Sequence, residues 1–344
     1  MSRPVKPRRI SLALQGGGAH GAFTWGVLDR LLEDGMLEIA AVSGTSAGAL
    51  NGAALKAGMV AGGTEAARKR LRRLWEQVGD IGDFRYLLPW FQPFLPFARM
   101  VQEATEALLP FSPASVAGQF YSPYAWGAQW RNPLLPVIED FDFTHVCAAD
   151  EPALFVGATN VRTGRVKVFA GQDITRDAIL ASACLPSVFQ AVEIDGEAYW
   201  DGGFTGNPSL WPLYDQALPD DIVIVQVNPL RRDVVPQTPL EIENRVNEIS
   251  FNASLLSELR AVAFVRRLIA EGRVGRDQMK DVRIHMIADD GLMNDLSASS
   301  KLQPSGALIE RLFTAGRAAA ERFLKDCGGK VGSAPTVDLQ DLLG

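Results

Sequence analysis

Two short apolar runs, each stopped by closely spaced glycines and each followed by a helical pattern, constrain this chain more than any other feature. Ile10–Leu14 runs into Gly16-Gly17-Gly18, and Ala22–Leu32 then repeats its apolar residues at helical intervals. Leu37–Val42 runs into Gly44-Thr45-Ser46-Ala47-Gly48, and a stretch of small residues follows. A short apolar run ending at glycine reads as a buried strand entering a tight turn. Strand, turn and helix repeated in succession describe an α/β domain with a parallel sheet. Further strands are predicted at Leu154–Ala158, Arg165–Phe169, Ile222–Val227 and Val282–Ile287. The expectation is a three-layer α/β/α fold with a mostly parallel central sheet. It forms one domain over residues 1–344, with a motif core at about 10–210 and a mainly helical part at 240–344.

Composition narrows the function classes. With 47% hydrophobic and 22% charged residues the chain is neither disordered nor fibrous. A net charge of -6 argues against a nucleic-acid partner, which would call for a basic face. Cys147, Cys184 and Cys327 are too widely spaced for a disulfide framework and match no zinc pattern, so a reducing, cytoplasmic setting is expected. Ile10–Leu14 is too short for a signal-peptide core, and no stretch approaches the ~20 apolar residues of a spanning helix. Peripheral contact with the inner membrane face stays open.

Three other segments have readings of their own. Glu65–Val78 has helical spacing and carries Arg68, Lys69, Arg70, Arg72 and Arg73; a solvated helix face is the plainer reading than a phosphate patch. Glu241–Glu271 is amphipathic, with Phe251, Leu255, Leu259, Val262 and Ile269 on one stripe. It reads as a helix packed on the sheet or on a partner, which leaves a homo-oligomer open. Tyr86–Arg131, within an insert at 84–132, is dense in proline and aromatic residues, which rules out one continuous helix and suggests an apolar lid, a membrane-docking surface or plain packing. The tail Gly328–Gly344 is expected to be loosely attached.

The chemistry concentrates in the glycine turns. Gly44-Thr45-Ser46-Ala47-Gly48 is a G-x-S-x-G motif between a predicted strand and helix, the context in which such a serine stands clear as a nucleophile. The helix N-terminus offers N–H groups to a developing oxyanion. Gly16–Gly21 also fits the dinucleotide pattern G-x-G-x-x-G, but the second predicted strand ends without the acidic residue that pattern needs. The alternative is that Gly17 and Gly18 present bare N–H groups to a tetrahedral intermediate. Asp201-Gly202-Gly203 alone is a common turn; it matters because the serine needs a base. Of His20, His145 and His285, only His20 has a position near these motifs.

Taken together, these three ordered motifs resemble the patatin-like phospholipase family. The resemblance covers Ile10–Asn207 and includes the run Ala181–Pro208, where a small-residue segment precedes the D-G-G and an Asn-Pro follows it. It implies a patatin-like fold, with Ser46 as nucleophile and Asp201 as base in a dyad that needs no histidine. Gly16, Gly17 and Gly18 match the oxyanion loop, with Gly44, Gly48, Gly202 and Gly203 as supports. The family commonly has Arg where this chain has His20, which leaves an accessory role for that residue. The implied substrate is a phospholipid, lysophospholipid or other acyl ester, without metal or cofactor. An acyltransferase would share the acyl-enzyme, and a non-catalytic anion- or nucleotide-binding protein is the alternative outside enzymology.

Overall fold

The computed structural model describes residues 7–82, 123–124, 132–296 and 298–344. The lid, docking or packing reading of 84–132 therefore falls almost wholly outside the described residues.

Eight strands form one sheet: β1 (Arg8–Leu14), β2 (Leu37–Thr45), β3 (Ala153–Asn160), β4 (Val166–Ala170), β5 (Val192–Ile194), β6 (Glu197–Asp201), β7 (Asp221–Val225) and β8 (Arg283–Ile287). The order is β5-β6-β3-β2-β1-β7-β8, with β4 also paired to β3. The run from β3 through β2, β1 and β7 to β8 is parallel. At the other edge β4 and β6 lie antiparallel to β3, and β5 antiparallel to β6.

Five longer helices matter here: α1 (Gly21–Asp34), α2 (Ala47–Ile81), α3 (Arg176–Ser182), α4 (Pro239–Ala270) and α5 (Gly306–Asp326). Side chains alternate along the central strands. Leu12, Leu14, Val223 and Val225 share one core with Phe23, Leu28, Leu71 and Leu312 from α1, α2 and α5. Ala13, Ile222 and Ile224 face the other way and pack on Leu255, Leu259 and Val262 of α4. Burial on both faces explains why these strands are nearly continuous apolar runs. The helices α1 and α5 touch backbone to backbone: a Cβ on Gly26 would lie 2.1 Å from the Phe313 carbonyl, and one on Gly316 2.1 Å from that of Phe23.

Some local details differ from the expectations. The small-residue helix and Glu65–Val78 belong to one element, α2, broken at Gly62 and Gly63, the latter at φ 74. The basic face of that element is partly paired: Arg68 meets Asp29, and Arg73 meets Asp140. The β5–β6 hairpin was not expected. Its turn is Asp195-Gly196, both at positive φ, a pairing that suits a two-residue hairpin loop. The C-terminal tail is held rather than loose. Val331 and Leu339 are buried, and the Thr336 N–H donates to the Ile284 carbonyl at 3.2 Å.

Candidate active site

Ser46 stands between β2 and α2 with φ 55 and ψ -124. A non-glycine residue holds such a conformation only where its surroundings over-determine it. Here the constraints are visible. The Ser46 N–H donates to Ser182 Oγ at 2.9 Å, and that hydroxyl donates to the Gly157 carbonyl at 2.6 Å. Thr45 Oγ1 donates to the Gly206 carbonyl at 2.7 Å. Gly48 lets the start of α2 meet the end of β1: a Cβ there would lie 2.1 Å from the Leu14 carbonyl. At Gly44 it would lie 2.5 Å from the Gly48 carbonyl.

Strand β3 acts as a ruler between the serine and the acid. Thr45 pairs with its Gly157, and Asp201 with the adjacent Ala158. Asp201 ends β6, where its N–H donates to the Cys184 carbonyl at 2.8 Å and its own carbonyl accepts from Thr159 Oγ1 at 2.8 Å. Its Oδ1 accepts from the Gly203 N–H at 2.8 Å. Oδ2 is buried and has no hydrogen-bond partner among the described residues. Burial pushes the carboxyl up to about 7, against the Gly203 N–H and the Ser46 hydroxyl, which both lower it. The Ser46 hydroxyl is thus close enough to lower the carboxyl, although no hydrogen bond between the two closes among the described residues. Gly202 and Gly203 permit this turn. A Cβ on the first would lie 2.3 Å from the Gly157 carbonyl, and on the second 2.0 Å from the Phe251 ring.

The glycine loop lies against the same serine. A Cβ on Gly16 would come within 2.7 Å of Ser46 Cβ. The Gly16 N–H already donates to Asn207 Oδ1 at 2.6 Å. Among the described residues no acceptor takes the N–H of Gly17 or Gly18. Gly18 sits at φ 56, with the Lys301 carbonyl 2.3 Å from where its Cβ would be. Ser46, Leu50, Trp75, Phe189 and Leu302 line an apolar cavity of about 50 Å³. A larger hollow of about 620 Å³, beside Cys147, Ile174 and Arg176, holds none of these residues; the chemistry marks the smaller one.

The sequence model of the Patatin-like phospholipase family matches residues 12–214, more than half of the chain. This protein belongs to the patatin-like phospholipase family. Its members are lipid hydrolases, which places the chain among lipid acyl hydrolases at the level of the family. No curated protein matches the sequence. Among solved structures, the crystal structure of VipD from Legionella pneumophila is similar with a TM-score of 0.43 at 16% identity, over 93% of this chain and 67% of that one.

Within this patatin-like site, His20 is turned to other partners. Its Nε2 lies 2.7 Å from Ser300 Oγ, and Nδ1 is buried without a partner among the described residues. Burial, with Lys301 nearby, lowers it to about 3, so the ring is neutral at physiological pH. No hydrogen bond joins it to Ser46 or Asp201 among the described residues. His145 pairs with Asp142, and His285 lies at the far side of the sheet. Among the described residues no group of His, Cys, Asp and Glu is placed to hold a metal. No helix there is long and apolar enough to cross a membrane.

Sequence reasoning missed the residues that hold the frame. Ser182 and Asn207 lie inside the Ala181–Pro208 run, so their positions were visible and their hydrogen bonds were not. Asn228 repeats the Asn-Pro pairing just after β7 but carries no motif.

Proposed function

We propose that this protein is a serine acyl hydrolase of phospholipase A or lysophospholipase type that works through a Ser46–Asp201 dyad. The observation that carries the reading is the buried, unpartnered Oδ2 of Asp201, on a carboxyl raised to about 7 and within range of the Ser46 hydroxyl. A serine hydroxyl is a weak nucleophile until a base takes its proton. An aspartate at the ordinary ~3.9 is a poor base near neutrality, whereas one near 7 is matched to the task.

In the proposed reaction, Asp201 accepts the Ser46 proton as Oγ attacks the ester carbonyl. The oxyanion forms against the N–H groups of Gly17 and Gly18. Asp201 returns the proton to the leaving alcohol, which departs and leaves an acyl-Ser46. Water, deprotonated by Asp201, then releases the fatty acid and restores the enzyme. The apolar lining beside Ser46 favours the acyl chain at ~0.8 kcal/mol per buried methylene. The C-terminal part belongs to the same unit in this reading, because β7 and β8 extend the sheet that carries Ser46.

The test incubates wild type, Ser46→Ala and Asp201→Asn with phospholipid and lysophospholipid and identifies the products by mass spectrometry. Released fatty acid from wild type alone supports the reading. Transfer of the acyl group to an added alcohol in preference to water would make it an acyltransferase. Absence of turnover, together with failure of a fluorophosphonate to label Ser46 in folded protein, would leave a binding protein.

A further inference from the structure

The peptide between Gly16 and Gly17 is held from outside the residues that match the family. Asn228 follows β7 and donates from Nδ2 to the Gly16 carbonyl at 2.8 Å. Its Oδ1 accepts from Lys301 Nζ at 2.7 Å. The amide can sit only one way round. A lysine ammonium can only donate and a backbone carbonyl can only accept, so oxygen must face Lys301 and nitrogen must face Gly16. The rest of Asn228 is fixed too: its N–H donates to Gln15 Oε1 at 3.0 Å, and its carbonyl accepts from Asn252 Nδ2 at 3.4 Å.

A trans peptide carries its C=O and N–H on opposite sides. The Gly16–Gly17 bond is trans, the cis bonds among the described residues being Glu151-Pro152 and Asn207-Pro208. Anchoring the Gly16 carbonyl on Asn228 therefore sets the direction of the Gly17 N–H, which points the other way and has no acceptor among the described residues. On the other side of Gly16, Asn207 takes the N–H and keeps the residue against Ser46. Lys301 touches both ends of the loop. Its ammonium holds Asn228, and its carbonyl occupies the space that a side chain on Gly18 would need. Burial lowers the ammonium to about 8, with Glu248 opposing the shift, and below that pH its bond to Asn228 is that of a charged donor, stronger than a neutral one.

We propose that Asn228 and Lys301 are positioning residues for ester hydrolysis, acting through the Gly16 carbonyl to aim the Gly17 N–H at the developing oxyanion. This rests on the serine-hydrolase reading above.

Asn228→Asp is the cleanest probe. It keeps a partner for Lys301 and replaces the donor facing Gly16 with an oxygen. On a soluble short-chain ester, kcat is expected to fall ~100-fold with KM within ~2-fold of wild type, since a misplaced donor is missed only in the transition state. A role limited to holding the fold would not alter the preference for an oxo ester over its thiono analogue. That preference is expected to shrink ~10-fold, because a developing thiolate draws less from N–H donors. Lys301→Met should move both quantities the same way, and Lys301→Arg should restore most of the loss. If Asn228→Asp does not fold, the two Lys301 variants decide by the same ratio. An unchanged oxo-to-thiono preference in the folded variants overturns the proposal, whatever happens to melting temperature. Fluorophosphonate labelling of Ser46 separates the two failures. A wild type that neither labels nor hydrolyses sinks the hydrolase reading and this inference with it. A wild type that does both, with an unmoved preference, sinks only the role of Asn228 and Lys301.

Discussion

Two buried aspartates sit at opposite ends of the central sheet, and they are built to opposite ends. Asp201 belongs to the glycine-lined site; Asp221 opens β7, between β1 and the edge strand β8. By residue type, the Asp221 group looks the more catalytic. His285 Nε2 lies 2.9 Å from Asp221 Oδ1, and Thr336 Oγ1 lies 3.2 Å from His285 Nδ1, so acid, histidine and hydroxyl form a chain. Yet both oxygens of Asp221 are engaged. Arg283 donates to each, and the Gly332 N–H donates to Oδ1 at 2.9 Å. Burial alone would push this carboxyl up, but the hydrogen bonds from His285 and Arg283 hold it well below the usual range. At Asp201 burial wins, and one oxygen accepts from no donor among the described residues. A saturated buried acid clamps a fold; an unsaturated one is free to take a proton. His285 is fully buried as well, so the ring that would serve as base is closed off from solvent.

Paired substitutions test this contrast. The largest expected effect is on turnover: Asp201→Asn should lower kcat by ~10⁴-fold, as loss of a catalytic unit does, while Asp221→Asn leaves kcat of the folded fraction near wild type. Comparable losses in both would erase the distinction. Next is stability. Asp221→Asn strands part of the Arg283 charge and should destabilise by ~3 kcal/mol in urea unfolding, the usual scale for breaking a buried pair.

The pH dependences should have opposite signs. A carboxyl whose folded value is depressed stabilises above its unfolded value, so the Asp221 contribution is lost as pH falls below ~4. A carboxyl whose folded value is raised binds its proton more tightly when folded, so Asp201 weakens the fold as pH rises from ~4 through about 7. Between pH 5 and 8.5, wild type should therefore lose melting temperature that Asp201→Asn retains, while kcat of wild type rises toward a plateau above about 7. A flat rate profile across that range would remove Asp201 as the base. The smallest effect is expected at His20. A general acid or base contributes ~10²–10⁴-fold, so His20→Ala should stay within ~10-fold of wild type if the ring only packs. A loss in the larger range, in folded protein, would replace the dyad with a histidine mechanism.

The hairpin that delivers Asp201 shows what was legible and overlooked. Asp195-Gly196 stands between Val192–Ile194 and Glu197–Trp200, a strong short-range signal for a tight β-turn. The tail shows the reverse: nothing local in Gly328–Gly344 foretells that the Thr336 N–H meets β8 or that Gly332 reaches Asp221.

Apolar period and motif spacing already carried the α/β alternation, the position of the nucleophile turn and the glycines that flank it. Those depend on apolar period and on turn chemistry within a few residues, which leave a mark in residue type; what each glycine lies against, Leu14 for Gly48 and Gly157 for Gly202, came only with the fold. The assembled fold decided which carboxyl is left wanting a proton, that the Gly16 N–H is taken while those of Gly17 and Gly18 have no acceptor among the described residues, and that Asn228 and Lys301 brace the loop from the C-terminal part. Burial and hydrogen-bond saturation are sums over neighbours brought together from distant parts of the chain. An Asp, an Asn or a Lys reads the same in sequence whether those neighbours satisfy it or not.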